Sequence, residues 1–227
     1  MFHVKQVPDE FRDAVQSLFA VREPLAQQYH DFLATAGVER GVVGPREVDR
    51  LWERHILNSA AIESVIDDSM TVVDVGSGGG LPGIPLAIAR PDLSVTLVEP
   101  MLRRTEFMEE CQQESGLAIR IVRGRAEDAN VLKQAGGADV ATSRAVAPLL
   151  KLLRWSLPLV RPGGEVIAIK GASVHDEIAR DAKGFKKLGV VDGEVQQCGS
   201  DILETPTTVV RIRKANRQRR RTEQNRN

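Results

Sequence analysis

The chain is poor in cysteine and in aromatic residues. Its 227 residues include two cysteines, Cys111 and Cys198, and aromatic residues make up 4% of the total. The cysteines form no C-x-x-C pair, and no histidine stands near them at metal-ligand spacing, which argues against a disulfide framework and against a metal site. We therefore expect two buried thiols, no disulfide and no metal.

Long apolar runs are also missing. No stretch approaches the roughly 20 apolar residues that span a bilayer. The N-terminus reaches Pro8 and Asp9 without the apolar core of a signal peptide. Hydrophobic residues at 42% and charged residues at 27% are typical of a soluble globular protein. We expect a cytoplasmic protein that has no membrane partner and one α/β domain with a modest extension.

Charge of one sign does not dominate, but the charge is unevenly distributed. Residues 214–227 contain six basic residues and one acidic residue, so their net charge is plus five and that of the rest of the chain is minus five. This basic tail has no apolar periodicity, and we expect it to be disordered. Attraction of phosphate groups and simple solubility suit its composition equally well.

Helical patterns come first along the chain. Apolar residues recur at helical spacing from Phe11 to Phe19, after Pro8. Two further helical segments are predicted over 23–36 and from 46 to about 65, with a glycine-containing loop between them. We expect residues 1–68 to form an N-terminal helical cap.

From residue 71 onward, short runs rich in Val and Ile alternate with helical segments. The runs that predict strands are 72–75, 95–99, 119–122, 140–142 and 165–169. Predicted helices follow them at 84–90, 102–114, 128–134, 147–160 and 174–187. Two last runs, 190–197 and 207–213, predict a closing antiparallel pair. The pattern indicates an α/β fold over residues 69–213, with a doubly wound, mostly parallel seven-stranded sheet.

A glycine-rich segment follows the first predicted strand. Asp74 is followed by Gly76, Gly78 and Gly80, and glycine lets a backbone approach a ligand closely. Gly78-x-Gly80-x-x-Gly83 also matches the dinucleotide fingerprint, so NAD is one candidate cofactor. The acid-containing D-x-G-x-G-x-G directly after the strand is the form that methyltransferases use. We therefore favour S-adenosylmethionine.

Other candidate site residues stand at strand ends. Glu99 closes the second strand, where its carboxylate is suited to accept ribose hydroxyls, and residues 124–128 follow the third strand at the place expected to contact adenine. Arg144 ends the fourth strand, at the sheet edge where ligands bind in this architecture. Lys170 lies at the same edge, where a lysine is equally often a solvent-exposed residue without a role in the site. His55 is a lone histidine in a predicted helix, and the alternative is that it lies at the surface and has no catalytic role.

Three motifs together carry a family resemblance: Gly76–Pro85, R-H-I-L-N-S at 54–59 and T-S-R-A at 142–145. With them, the chain closely resembles the RsmG (GidB) family from about residue 10 to residue 213. Members of that family methylate N7 of a guanine in the decoding-region 530 loop of 16S ribosomal RNA. Ser77 and Gly79 stand where Thr and Pro are frequent in the family, and as turn positions they should not alter the chemistry.

The resemblance implies a Rossmann-like class I methyltransferase fold and S-adenosylmethionine as cofactor. It implies cofactor contacts at Gly76, Ser77, Gly78, Gly80, Leu81, Glu99, Ala126, Glu127 and Arg144. It also implies a catalytic set that faces the cleft, made of Arg144, His55, Asn58 and Lys170, with Ser59 beside them. The implied partner is 16S rRNA within the 30S subunit or an assembly intermediate, and we expect the chain to act as a monomer.

Two alternative functions remain open. One is a methyltransferase that acts on a small molecule or a protein, and the other, less favoured, is an NAD-binding oxidoreductase. The basic tail and the scarcity of aromatic residues to line an apolar pocket weigh against the first. The register of the glycine loop weighs against the second.

Overall fold

A computed structural model describes residues 7–171 and 173–216. The predicted disorder of the basic tail falls on residues outside these ranges, apart from the tail's first three residues. The strands are β1 Thr71–Val75, β2 Ser94–Glu99, β3 Ile119–Arg123, β4 Ala138–Arg144, β5 Val160–Ile169, β6 Val190–Cys198 and β7 Thr207–Lys214. The α-helices are α1 Arg12–Phe19, α2 Glu23–Phe32, α3 Asn58–Ala60, α4 Gly83–Ala89, α5 Leu102–Ser115, α6 Ala129–Ala135, α7 Leu149–Ser156 and α8 Val174–Lys187.

The seven strands form one sheet in the order β3-β2-β1-β4-β5-β7-β6. Strands β1 to β5 run parallel, and β7 is antiparallel to both β5 and β6. The predicted α/β class, the mostly parallel sheet and the closing antiparallel pair are confirmed. The chain reverses its direction of travel between β1 and β4, and doubly wound folds bind ligands outside the carboxyl ends of the strands at such a point.

Both faces of the sheet are covered by apolar residues. In β1, Val72 belongs to the core under the N-terminal helices, α4 and α5, whereas Val73 belongs to the core under α6, α7 and α8. Successive strand residues point to opposite faces, so a strand buried on both sides must be continuously apolar. This requirement explains the Val-rich runs that made the strands predictable.

The predicted helix over 46–65 is present but is not uniform. It consists of a 3₁₀ segment Pro45–Arg50, a π-helical segment Leu51–Leu57, the α-helical turn α3 and a 3₁₀ segment Ala61–Val65. Leu51, Ile56 and Leu57 are fully buried, so one side of this 45–65 segment is anchored in the core. Single π-helical turns are frequent at functional sites, and this one carries Arg54 and His55.

The N-terminal helices pack directly on the sheet domain. Tyr29 of α2 is buried, and its hydroxyl donates to the carbonyl of Gly79 at 2.8 Å. Phe32 of α2 lies against Phe107 of α5, with 4.7 Å between ring centroids. The cap therefore contacts the glycine loop as well as the helix that follows β2.

The predicted helix over 147–160 is too long, and the predicted fifth strand is too short. Helix α7 starts after Pro148, whose backbone is extended, and Val160 already belongs to β5. The first part of β5 pairs with β4 through Ala138 and Val160, across a register shift. The Pro162-Gly163-Gly164 stretch appears as a turn in the sequence, yet the bulge allows it to stay within the strand.

The structure also bears on the predicted thiols and on membrane-spanning helices. Cys111 and Cys198 are both buried. Over the ranges that the structure describes, no helix has the length and apolar character needed to cross a membrane.

Candidate active site

A cleft of about 580 Å³ opens at the carboxyl ends of β1, β2 and β4. This volume lies within the range of small-molecule and cofactor pockets. The 45–65 segment contributes Glu47 and His55 to one wall, and Val42 and Val43 lie beside them. The predicted cofactor residues that line this cleft are Gly76, Ser77, Gly78, Leu81, Glu99, Ala126, Glu127 and Arg144.

The glycines of the loop have different physical roles. Gly76, Gly78 and Gly80 all have positive φ, at 71°, 61° and 97°. A Cβ on Gly76 would lie 2.9 Å from Val146, and one on Gly80 would lie 2.3 Å from Ile84. Packing against these side chains therefore leaves no room for a Cβ at either position. A Cβ on Gly78 would meet only the Gly76 carbonyl oxygen, at 3.9 Å. Gly78 is therefore the loop glycine that faces open space, and Gly80 serves the packing of the loop on α4.

We expect Gly78→Val to weaken S-adenosylmethionine binding by at least about a hundredfold, because a β-branched side chain would enter the ligand space and disfavour the positive φ. Isothermal titration calorimetry measures the effect. Gly116→Val is the matched control, because Gly116 has φ of 67°, is also surrounded by open space and ends α5 outside the cleft. Equal affinities of the two folded variants would remove the loop assignment.

Glu99 shapes the loop from the end of β2. Its side chain is 2% exposed, and its two carboxylate oxygens accept hydrogen bonds from the backbone N–H of Gly78 at 2.9 Å and of Met101 at 3.0 Å. Arg104 approaches the same carboxylate at 3.7 Å. Each carboxylate oxygen has a second lone pair. Glu99 can therefore fix the loop and still accept a ligand hydroxyl.

We expect Glu99→Ala to weaken S-adenosylmethionine binding by about 1.5–3 kcal/mol, the scale of hydrogen bonds to a charged group. Glu99→Gln should lose less, because its amide oxygen retains one backbone contact and one acceptor. Calorimetric titration of both variants gives the comparison. An unchanged dissociation constant in Glu99→Ala would make Glu99 a purely structural residue.

The loop after β3 forms the wall where the sequence predicts an adenine contact. Ala126 is buried and Glu127 is exposed, and both line the cleft. Asp128 precedes α6 at the N-cap position, but its carboxylate accepts from the backbone N–H of Arg125 at 2.9 Å. Its side chain therefore orders this loop and makes no capping hydrogen bond to the helix.

The buried carboxyl of Asp74 indicates which charge the site favours in its cofactor. Its carboxyl is buried; one oxygen accepts from the backbone N–H of Gly83 at 3.0 Å, and the other has no partner among the described residues. Burial raises the pKa of Asp74 to about 7. A nearby cation would favour the charged carboxylate. Asp74 does not itself line the cleft, but its chain neighbours Val75 and Gly76 do, so the sulfonium and ammonium groups of S-adenosylmethionine suit this end of the cleft better than the anionic diphosphate of a dinucleotide.

Arg144 is held at the junction of the sheet and the cap. One of its terminal nitrogens donates to the backbone carbonyl of Arg54 at 2.6 Å, and the other donates to Nδ1 of His55 at 2.5 Å. Nε2 of His55 in turn donates to a carboxylate oxygen of Glu47 at 2.8 Å. Guanidinium, imidazole and carboxylate thus form one hydrogen-bonded chain along the wall of the cleft.

Two members of the predicted catalytic set, Asn58 and Lys170, do not line the cleft, and neither does Ser59. Asn58 donates from its amide to Thr207 at 2.8 Å and ties the 45–65 segment to β7. Ser59 is fully buried. Lys170 lines a neighbouring depression, where its ammonium lies 2.9 Å from Glu177. Of the predicted catalytic set, the structure places Arg144 and His55 in the cleft, whereas Asn58 and Ser59 belong to α3, the α-helical turn that follows the π-helical segment.

Glu47 is the residue that sequence reasoning missed. It precedes His55 by eight residues, a spacing that places two residues on one side of a helix. Its hydrogen bond from His55 lowers the pKa of the Glu47 carboxyl, which favours the charged form. The spacing was the available signal, but a glutamate at the start of a helix is too common to single out.

The fold and the cleft define a class I methyltransferase that uses S-adenosylmethionine. The features that define it are the parallel sheet with antiparallel β7, the glycine loop after β1 and the acidic end of β2. The chain belongs to the family described as rRNA small subunit methyltransferase G, whose model matches residues 22–205.

Close relatives carry the same description. A ribosomal RNA small subunit methyltransferase G from Rhodococcus jostii is 51% identical over 226 residues, which cover 97% of this chain and 100% of that protein. The relative from Mycobacterium marinum is 55% identical, with 89% of each chain covered. The relative from Corynebacterium jeikeium is 58% identical, with 88% of this chain and 90% of its own covered.

Solved structures share the fold at low sequence identity. The M. jannaschii TYW2 in complex with AdoMet has a TM-score of 0.54 and 19% identity, covering 72% of this chain and 77% of its own. A tRNA methyltransferase from Aquifex aeolicus has a TM-score of 0.51 and 14% identity, covering 69% of this chain and 66% of its own. These similarities concern the fold alone.

Proposed function

We propose that this chain transfers the methyl group of S-adenosylmethionine to N7 of a guanine in the decoding-region loop of 16S ribosomal RNA. The names of its relatives describe ribosomal RNA small subunit methyltransferases, and the chain spans nearly their whole length. The proposed substrate is this rRNA within the 30S subunit or an assembly intermediate, in the cytoplasm, with the enzyme acting as a monomer.

The proposal rests on the hydrogen bonds of the cleft side chains that could act as bases. Both ring nitrogens of His55 are engaged, one by Arg144 and one by Glu47, and Glu99 accepts two backbone hydrogen bonds. The other carboxylate of the cleft, Glu127, lies on the wall proposed for adenine, so the groups beside Arg144 serve as donors and positioning groups and not as a free general base. Guanine N7 carries an in-plane lone pair and no proton, so it needs no base to act as a nucleophile.

When bound, the cofactor supplies an electrophilic methyl group on its sulfonium. The chain's own contribution is to seat the cofactor and to align the base. In this proposal Gly76, Ser77, Gly78, Leu81, Glu99, Ala126 and Glu127 hold the cofactor. The cap, residues 1–68, supplies one wall of the cleft against which the RNA lies, and residues 69–213 form the catalytic domain.

Arg144 is the proposed clamp on the base. A guanidinium has five N–H donors, and the structure assigns two of them to the Arg54 carbonyl and to His55. The remaining donors suit guanine O6 or a neighbouring phosphate. Lys170, across Ala145 and Val146 from the cleft, donates to the Ala147 carbonyl and pairs with Glu177, and it is proposed to hold the loop after Arg144 in place beside the target.

Mass-spectrometric mapping of small-subunit rRNA, from cells with and without the gene for this chain, tests the proposal directly. We expect one 7-methylguanine in the decoding-region loop to be lost with the gene and restored with it. Purified protein should restore the mark on deproteinised 16S rRNA or on 30S particles from the deleted strain, and the better substrate identifies the natural one. An unchanged modification map would overturn the proposed function.

A further inference from the structure

The 45–65 segment and β4 are joined by three side chains in series. Glu47 accepts from Nε2 of His55 at 2.8 Å, and Nδ1 of His55 accepts from Arg144 at 2.5 Å. The imidazole is 13% exposed and the Glu47 side chain 31%, so the inner hydrogen bond is well shielded while the outer one reaches the surface. The geometry connects a residue at the rim to the guanidinium in the cleft.

The chemistry of the three groups fixes the tautomer of His55. Arginine has donors only, so Nδ1 of His55 must present a lone pair to it. The ring proton of neutral His55 therefore resides on Nε2, where the ionised Glu47 carboxylate accepts it. Without that carboxylate, only the contact with Arg144 favours Nε2–H over Nδ1–H, so the preference is weaker. An Nδ1–H would face the N–H of Arg144, and the hydrogen bond would be lost.

We propose that Glu47 is a positioning residue that acts through His55 to hold the Arg144 guanidinium in the orientation needed for methyl transfer. This inference rests on the proposed function, because the orientation matters only if Arg144 contacts the substrate. The Arg54 carbonyl remains as a second acceptor. Loss of Glu47 should therefore loosen Arg144 without releasing it.

The same chain of contacts predicts a response to acid. The charged groups that face His55 are Glu47, Arg54 and Arg144. Burial lowers the pKa of His55 below its usual 6.5, and the hydrogen bond to Glu47 opposes that shift. His55 is thus neutral at pH 7 and above, and the contact with Arg144 is intact there. As the pH falls below the usual histidine pKa, protonation places an N–H against the guanidinium, so the transfer rate should fall on the acid side.

The first test compares single-turnover rates on the rRNA substrate at pH 7.5. We expect Glu47→Ala to be about tenfold slower than wild type, which is within the range that misorientation of a positioned group costs. Glu47→Gln should stay within about threefold of wild type, because its amide oxygen can still accept a hydrogen bond from Nε2–H. Glu53→Ala is the matched control, because Glu53 is an exposed carboxylate on the same segment and its removal changes the charge equally. S-adenosylmethionine affinity should not change in any of the three.

The second test reads the tautomer without any substrate. Nitrogen-15 spectra of histidine-labelled protein, with the His55 signals assigned through the His55→Asn variant, should show Nε2–H in wild type. In Glu47→Ala the fraction of Nδ1–H should rise, because only Arg144 then favours Nε2–H. A wild-type His55 that carries its proton on Nδ1 would overturn the inference, even if Glu47→Ala proved too unstable to assay.

A double-mutant cycle separates this inference from the proposed function. If Glu47 acts through Arg144, adding Glu47→Ala to Arg144→Ala should slow the reaction by less than about twofold further. A further tenfold loss in the double variant would overturn the inference, as would equal rates for Glu47→Ala and Glu53→Ala. A wild-type protein that methylates no rRNA would overturn the proposed function, whereas the tautomer measurement would still report on the hydrogen-bonded chain.

Discussion

Replacing Arg144 with alanine should lower the single-turnover rate of methyl transfer by at least about a thousandfold, because the guanidinium aligns the base and alignment of reactants accounts for much of a transfer barrier. The affinity for S-adenosylmethionine should change by less than about threefold, since the glycine loop and Glu99 hold the cofactor independently. Rapid-quench assays with radiolabelled cofactor measure the rate, and calorimetry measures the affinity.

Two further variants sharpen this expectation. Arg144→Lys keeps the charge but loses the planar fork of donors, so it should recover little activity. Arg161→Ala removes an arginine from β5 at the opposite edge of the sheet, where it binds Asp139 at 2.6 Å, and should leave the rate unchanged. His55→Ala should be milder than Arg144→Ala. Complete loss of activity in His55→Ala would instead make His55 a general base, whereas loss of the acid-side titrating step alone would not, because the positioning role of His55 predicts the same step.

RNA that carries 7-deazaguanine at the target should not be methylated at all. This base has carbon in place of N7, so the lone pair that attacks the methyl group is missing, while O6 and the Watson–Crick edge are retained for binding. Competition experiments should show that the modified RNA still binds. Inosine at the same position is the matched control, because it keeps N7 and O6 and should be methylated.

Methylation of the 7-deaza substrate at a normal rate would place the reaction on another atom. The pH profile gives a second criterion for the same mechanism. Between about pH 7 and 9 the single-turnover rate should be flat, because no deprotonation of a base precedes the attack. A rise across this interval would indicate a nucleophile that must lose a proton.

The fold was largely predictable from the sequence because its central strands are buried on both sides. The doubly buried β1 must be apolar at every position between its first residue and Asp74, and the glycine loop that follows marks where it ends. Those features are local, and one sequence displays them. The extent of β5 was not predictable, because the bulge that admits Gly163 and Gly164 depends on pairing with β4, which is distant in sequence.

The site was predictable where the residues follow strands and less so where they lie on the 45–65 segment. Strand ends converge by topology, so Glu99 and Arg144 could be assigned to one cleft. On the segment, the sequence pattern predicts one continuous helix, whereas Leu51–Leu57 is π-helical and has i to i+5 hydrogen bonds. Asn58 is bound to Thr207 of β7, and Glu47 of the 3₁₀ segment is the unpredicted partner of His55.

The hydrogen bond from Tyr29 to the carbonyl of Gly79 ties the conformation of the cofactor loop to a helix of the cap. Because linkage is reciprocal, any ligand that binds better to the ordered loop must also stabilise the docked position of α2. Occupancy of the cleft is then communicated to the amides of α2, which should exchange with solvent more slowly when the enzyme is loaded. In evolutionary terms the cap is not an interchangeable module. A substitution that loosens α2 acts as a cofactor-binding mutation, although the residue changed never contacts the cofactor.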